Sequence, residues 1–305
     1  MISKDIALGL FFLLQTGLGV LGNSFLLGLY TITLFIGPRL RPIDLLLVHL
    51  TFVNDLALLF KGIPKTMFTL GLKNFLDDVG CKLIFYFHKV SRDLSLCTTC
   101  LLSSFQAITL SPRNSWWAQL KAGAQKCMVP LCLFCWAFHL LKNVMILSFM
   151  RGPMKNKTIT QQDFLYCSVP FPATLNLAMH ILIVFLPDFL FIGIMMGTSG
   201  YMVFFLYRHH QRVQYIHGNI LTPSVSPETR ATQTILFLVI LFVCFYSLNS
   251  IFILCIQNER SSWLVHISAF LAACFPAFSS FFLIVSDSHV YKNFLALLDK
   301  RILFG

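Results

Sequence analysis

Residues 6–36 read IALGLFFLLQTGLGVLGNSFLLGLYTITLFI, and no charged side chain occurs between Asp5 and Arg39. A helix that spans a bilayer needs about 20 mostly apolar residues, and this run exceeds that length. In water, so long an apolar surface would need a core far larger than short polar connections can build. The run is therefore read as a membrane span. Its length also exceeds the core of a signal peptide, roughly 7–15 residues, and Lys4 is offset by Asp5, so the expectation is a retained first span.

Six further runs repeat the pattern at 45–70, 83–110, 128–150, 175–207, 231–257 and 263–286. The fifth of the seven contains one acid, Asp188, and the last two carry no formal charge. The connections between them are too short to hold a soluble domain. The expected fold class is all-α, a single seven-transmembrane-helix bundle over residues 1–305. Composition agrees: 57% of residues are apolar, 32 are phenylalanine, and only 11% are charged. An ordinary soluble domain has roughly 25% charged residues.

The net charge of +11 does not point to nucleic acid. Lysine and arginine are scattered singly or in pairs between apolar runs, with no continuous basic stripe, which is the pattern of membrane-flanking charge. Seven spans put the termini on opposite sides. Basic residues such as Arg39, Arg41, Arg113, Lys121, Arg208, Arg212 and Arg230 outnumber those of the alternate loops, which favours an extracellular N-terminus. Asn156-Lys157-Thr158 is a glycosylation sequon in a loop that this orientation places outside. Of ten cysteines, only Cys81 and Cys167 fall in the outer connections, where a disulfide can persist.

Several motifs mimic chemistry that their setting forbids. Gly17, Gly19 and Gly22 spell GxGxxG, but a dinucleotide site needs a strand-to-helix turn, whereas these lie inside an uncharged span. Helix packing is the better reading, as for Gly193 and Gly197. Cys97–Cys100 and Cys132–Cys135 are CxxC pairs within spans, read as small packing residues rather than a zinc site. His49, His139, His180 and His266 fall on separate spans and are read as hydrogen-bonded packing residues. No Ser/His/Asp constellation, metalloprotease motif or P-loop occurs, so no enzyme, catalytic residue, metal or cofactor is expected.

The informative residues are ionisable groups within spans, each costing about 2.5–3.5 kcal/mol at mid-membrane unless paired or hydrated. In the third span His88 and Arg92 are four apart and share a face, roughly 10 Å and 16 Å below the level of Cys81. That depth suits a water-filled outer cavity. Lys89 and Asp93 are also four apart and can neutralise each other. All four are candidate ligand-binding residues, with an internal ion-pair network as the alternative. Lys61 and Lys65, around Pro64, are expected to snorkel outward, and Asn54 with Asp55 to form a deeper polar centre.

HLTFVNDLALLFKGIPKTM (49–67), GCKLIFYFHKV (80–90), TTCLLSSFQAITLSP (98–112), RHHQRVQYIHGN (208–219), SPETRATQTILFLV (226–239) and CFPAFSSFFLIVSD (274–287) stand in an order and spacing that resembles the vomeronasal type-1 receptors. These are seven-helix G-protein-coupled chemoreceptors for pheromone-like molecules, and the resemblance covers nearly the whole chain. It implies a disulfide between Cys81 and Cys167 and coupling to a heterotrimeric G protein of the inhibitory class, while the sequon in the longest outer loop leads to the expectation of glycan on Asn156. It also implies that Gln106 stands where most rhodopsin-like receptors place the arginine of Asp-Arg-Tyr, facing the G protein. Arg208, Arg212 and Arg230 are expected to frame that cytoplasmic face, suited to an acidic partner or anionic lipid. Lys65 stands where the family commonly has glutamine, and Asp93 where a small residue is usual. The alternatives are a bitter-taste receptor, which the motifs disfavour, and a transporter. A transporter lacks support, since neither an internal repeat nor a matched pair of broken helices is visible. The expected location is the plasma membrane, with a small pheromone-like molecule as ligand.

Overall fold

The computed structural model describes residues 2–36, 42–72, 75–111, 115–149, 161–164, 167–170, 174–217, 227–258 and 262–286. In chain order they form α1 (Ile2–Ile36), α2 (Pro42–Thr69), α3 (Asp78–Leu110), α4 (Ser115–Asn143) and a short α5 (Met145–Phe149). A hairpin of β1 (Gln161–Phe164) and β2 (Cys167–Pro170) follows, then α6 (Thr174–His217), α7 (Pro227–Asn258) and α8 (Ser262–Ser286). Seven of the helices, α1–α4 and α6–α8, are long and apolar enough to cross a membrane.

The helices overrun the apolar stretches that mark them in the sequence. α3 starts at Asp78 because Asp77 caps it, its carboxylate accepting from the Gly80 N–H at 2.7 Å. α4 begins at Ser115 and α6 continues to His217, through polar sequence in which no proline stops the helix. Apolar length records the bilayer's thickness; backbone hydrogen bonding continues past it. At the other end α4 breaks at Val144, whose N–H turns back to the Leu141 carbonyl before α5 resumes.

α3 is the axis of the bundle, packed against α2, α4, α5, α6 and α7, and 67% of its apolar window is enclosed, against 11% for α6. Core residues Leu94, Leu96 and Leu102 of α3 meet Leu46 and Leu50 of α2, Met195 and Met202 of α6, and Leu238 and Phe242 of α7. The outer surface is itself apolar: Leu141 is 74% exposed and Val285 81%. A surface of that kind is stable only against hydrocarbon.

Glycines close the seam between α1 and its neighbours. A Cβ at Gly19 would meet Leu58 and Ala277, one at Gly22 would meet Ser280, and Gly62 lies against Thr16. Two glycines of the GxGxxG motif, Gly19 and Gly22, thus form a packing face, whereas a Cβ at Gly17 meets nothing within 4 Å. Gly193 and Gly197 behave differently: a Cβ at either position meets nothing within 4 Å, so the packing role read from their spacing is corrected.

The strands pair antiparallel, with Gln161 opposite Pro170 and Phe164 opposite Cys167. Cys167 is disulfide-bonded to Cys81 at the start of α3, with the two Cα atoms 5.9 Å apart. The hairpin is therefore fastened over the Cys81 end of the bundle. By its sequence the same segment reads only as a polar connection.

Candidate functional site

Five consecutive turns of α3, from His88 to Gln106, organise both ends of the bundle. Near the Cys81 end, His88, Arg92 and Ser95 face a cavity of ≈ 460 Å³, counting the part open to solvent. Tyr246 and Asn249 of α7 supply its remaining polar groups, and Ala57 of α2 contributes a small side wall. Phe242, Phe275 and Pro276 line it with apolar surface. A mostly apolar hollow with a few convergent polar groups is the usual form of a small-molecule site.

The four candidates from the third span divide into two faces. His88 and Arg92 line the cavity; its lining does not include Lys89 or Asp93. Lys89 Nζ donates to Asp93 Oδ1 at 2.8 Å, the pairing expected from their spacing. Asp93 also takes Lys142 at 3.1 Å and the Asn143 amide at 3.1 Å, while His139 Nδ1 lies 3.9 Å away. Lys142 reaches on to Asp188 Oδ1, again at 3.1 Å. Two buried carboxylates thus share three cations, Lys89, Lys142 and Arg92. A network of that density satisfies the charges that a membrane interior would otherwise penalise. Sequence reasoning missed Lys142. A lone cation inside the fourth apolar run was the signal available.

Arg92 belongs to both faces. Its guanidinium lies 3.5 Å from Asp188 Oδ2 and 4.6 Å from the centre of the Tyr246 ring, and its side chain keeps 22% exposure. The Tyr246 hydroxyl donates to the same Asp188 oxygen at 2.5 Å. Asp188 therefore joins α3, α4, α6 and α7 at one point beside the cavity. Ser95, one turn further along α3 than Arg92, also lines the hollow, together with Phe242 and Phe275.

Beneath the cavity lies the polar centre expected at Asn54 and Asp55. Ser95 donates to Asn54 Oδ1 at 2.8 Å, and Asn54 donates to Ser279 at 3.0 Å, linking α2, α3 and α8. Asn23 donates to the Pro276 carbonyl at 2.8 Å, and Ser24 donates to Asp55 at 3.0 Å. His49 accepts from the Trp136 indole at 2.8 Å, so its other ring nitrogen carries the proton shared with Thr98. It is a hydrogen-bonded packing histidine; His139 is not, since neither of its ring nitrogens has a hydrogen-bond partner among the described residues, which corrects the reading there. Among the described residues no cluster fit to hold a metal ion occurs.

Lys65 departs from expectation. It is 3% exposed rather than turned outward, and its Nζ lies 5.3 Å from the centre of the Phe12 ring. The stem is held in the seam between α1 and α2 and does not reach an interface.

At the opposite end Gln106 is buried and donates from Nε2 to Thr232 Oγ1 of α7 at 2.8 Å. Ser111 beside it is within 3.0 Å of the Tyr201 hydroxyl on α6, and Lys121 donates to the Ser111 carbonyl at 2.8 Å. Arg230 donates to the Ser286 carbonyl at 3.2 Å, tying α7 to α8. Arg208 is exposed near the end of α6, and Arg212 follows on the same helix. Asn156 lies outside the described residues.

Comparison with known proteins agrees with this architecture. The vomeronasal organ pheromone receptor family matches residues 6–296. Human vomeronasal type-1 receptor 1 is 44% identical over 299 residues, 97% of this chain and 84% of that protein. Human vomeronasal type-1 receptor 4 is 42% identical over 295 residues, 96% of this chain and 98% of that protein. Olfactory receptor class A-like protein 1 of Danio rerio is 33% identical over 284 residues, 92% and 89% of the two chains. The crystal structure of squid rhodopsin superposes with a TM-score of 0.73 at 15% identity, covering 96% of this chain and 85% of that one, a likeness of fold alone. With the match of the family across nearly its whole length, this chain belongs to the vomeronasal organ pheromone receptor family, whose members are seven-helix receptors of the G-protein-coupled type.

Proposed function

We propose that the chain is a chemoreceptor that takes a small pheromone-like molecule into the cavity beside Arg92 and activates a heterotrimeric G protein, of the inhibitory class, at the Gln106 end. The observation that carries the reading is the pairing of two α3–α7 contacts on one pair of helices. Arg92 meets Tyr246 beside the cavity, and Gln106 meets Thr232 at the far end. The two levels are separated by roughly 21 Å of helix. A ligand that engages Arg92 or Tyr246 competes with Asp188 for them, and any resulting shift of α7 is felt at Thr232. Such a ligand shifts an existing equilibrium by the difference in its affinity for the two arrangements.

The proposed orientation puts the N-terminus, the hairpin and the cavity mouth outside, and the exposed Arg208 with Arg212 and Arg230 inside. The disulfide at the cavity end supports this, because such bonds persist on the oxidising side of the plasma membrane. The basic residues at the Gln106 end suit anionic lipid and an acidic partner surface. The test is a panel of small molecules applied to cells that carry a G-protein biosensor. Ligand-dependent activation without substrate flux is expected, and flux without activation would favour a transporter.

A further inference from the structure

Most polar groups that line the cavity are already engaged. Ser95 gives its proton to Asn54, and Tyr246 gives its proton to Asp188. The His88 ring bonds to the Ala57 backbone, and its Nδ1 is sealed from solvent. Two side chains keep donors in reserve. The Arg92 guanidinium has five N–H groups; its Nη2 reaches Asp188 at 3.5 Å, and the side chain keeps 22% exposure. Asn249 of α7 accepts at Oδ1 from Ser268 of α8 at 2.8 Å, and its Nδ2 donates to no partner among the described residues.

Asn249 is 5% exposed, enclosed by protein on almost every side. Its amide nitrogen is nevertheless not sealed, unlike Nδ1 of His88, and the space that Asn249 lines is the cavity. Tyr246 and Asn249 stand three apart on α7 and share a face, and the guanidinium of Arg92 lies 4.6 Å from the centre of the Tyr246 ring. The free donors thus converge on the cavity from α3 and α7. No carboxylate lines it among the described residues. Ser268 decides which end of the amide is presented: its hydroxyl holds Oδ1, so the N–H end is turned to the cavity. Water can serve such donors in the empty receptor, but a ligand that displaces it loses affinity unless it accepts in turn.

We infer that Arg92 and Asn249 form a subsite for a carbonyl or carboxylate oxygen on an apolar ligand, with Ser268 as the residue that positions the amide. The apolar body packs against Phe242, Phe245 and Phe275, which line the same cavity. An ammonium head finds a cation and N–H groups there and no free acceptor. This rests on the cavity being the ligand site, as proposed above.

The probes share one body and differ in the head. 4-Phenylbutan-2-one and 4-phenylbutanoate carry the oxygen, 4-phenylbutylamine carries a cationic donor, and butylbenzene has no head. Each is titrated against the purified full chain in uncharged detergent, with the thermal denaturation midpoint as readout. A saturable rise is expected with the ketone, the carboxylate or both, and none of comparable size with the amine or the hydrocarbon. A response to the ketone identifies a neutral carbonyl ligand, and one confined to the carboxylate identifies an anion. Asn249→Asp keeps the size of the side chain and its bond to Ser268 but replaces the free donor with an acceptor. It should weaken the response by about tenfold or more. Ser268→Ala should weaken it too, and Ser268→Thr, which keeps the hydroxyl, should retain it. Should the Asp variant not fold, Asn249→Ala is read in the same way.

Equal shifts from the amine or butylbenzene, no shift from either oxygen-bearing probe, or a response unchanged by both variants at Asn249 would overturn the inference. A response unchanged by Ser268→Ala would overturn the positioning role. The two readings separate cleanly. An Asn249-dependent shift in a chain that never activates a G protein supports the subsite and sinks the receptor function. Ligand-dependent activation that is insensitive to Asn249→Asp and Asn249→Ala does the reverse.

Discussion

Gln106 and Thr232 form a buried hydrogen bond of 2.8 Å between α3 and α7, at the far end of the same two helices that Arg92 and Tyr246 join beside the cavity. Here a neutral amide holds a neutral hydroxyl, and a bond of that kind contributes about 0.5–1.5 kcal/mol. Under the proposed function, a clasp of that strength biases an equilibrium that ligand binding energy can reverse.

Thr232→Val keeps the shape of the side chain and removes the acceptor. It is expected to raise ligand-independent G-protein activation, by up to about tenfold in the underlying equilibrium. Combining it with Gln106→Ala should add little, since both changes break one bond. Basal activity indistinguishable from the parent in a biosensor assay would show that the clasp does not hold the resting state.

Arg92→Ala and Lys142→Ala should have opposite consequences. Removing Arg92 leaves Asp188 with Lys142, Lys89 and the Tyr246 hydroxyl, so surface expression should survive while ligand response falls. Removing Lys142 strips one cation from both Asp93 and Asp188, a loss of about 3–5 kcal/mol for broken buried pairs. Lys142→Ala should therefore reach the cell surface poorly. Flow cytometry on intact cells, alongside the biosensor, distinguishes the two, and equal surface loss in both would contradict the division of roles.

Cys81→Ser should uncouple the hairpin from α3. Loss of a native disulfide costs about 2–5 kcal/mol, and here that bond ties the hairpin to the Cys81 end of α3. Reduced ligand response with lowered thermal stability is expected, and Cys167→Ser should match it. Two variants with different phenotypes would argue that one cysteine has a role outside the pair.

Asn156→Gln should increase the electrophoretic mobility of protein from cells, as should glycosidase treatment of the parent. Mobility unaffected by either would remove the support that the sequon gives to an extracellular N-terminus.

The seven spans were legible in the sequence because a bilayer imposes a single length and polarity on every segment that crosses it. The Lys89–Asp93 pair and the shared face of His88 and Arg92 were legible for a related reason: helical periodicity fixes which residues of one helix face together. Neither rule reaches from one helix to the next. The partners of Asp93 on α4, the convergence of Arg92 and Tyr246 on Asp188, and the choice of Thr232 by Gln106 depend on how each helix is rotated against its neighbours. That rotation is set by packing of whole surfaces. The same limit misdirected the reading of Lys65, where a long flexible side chain near a span's end was expected at the interface. The seam between α1 and α2, closed by Gly62 on Thr16 and Gly9 on Leu70, holds it inside instead. Spacing within a helix is a local property, and burial of a charge is a property of the assembled bundle.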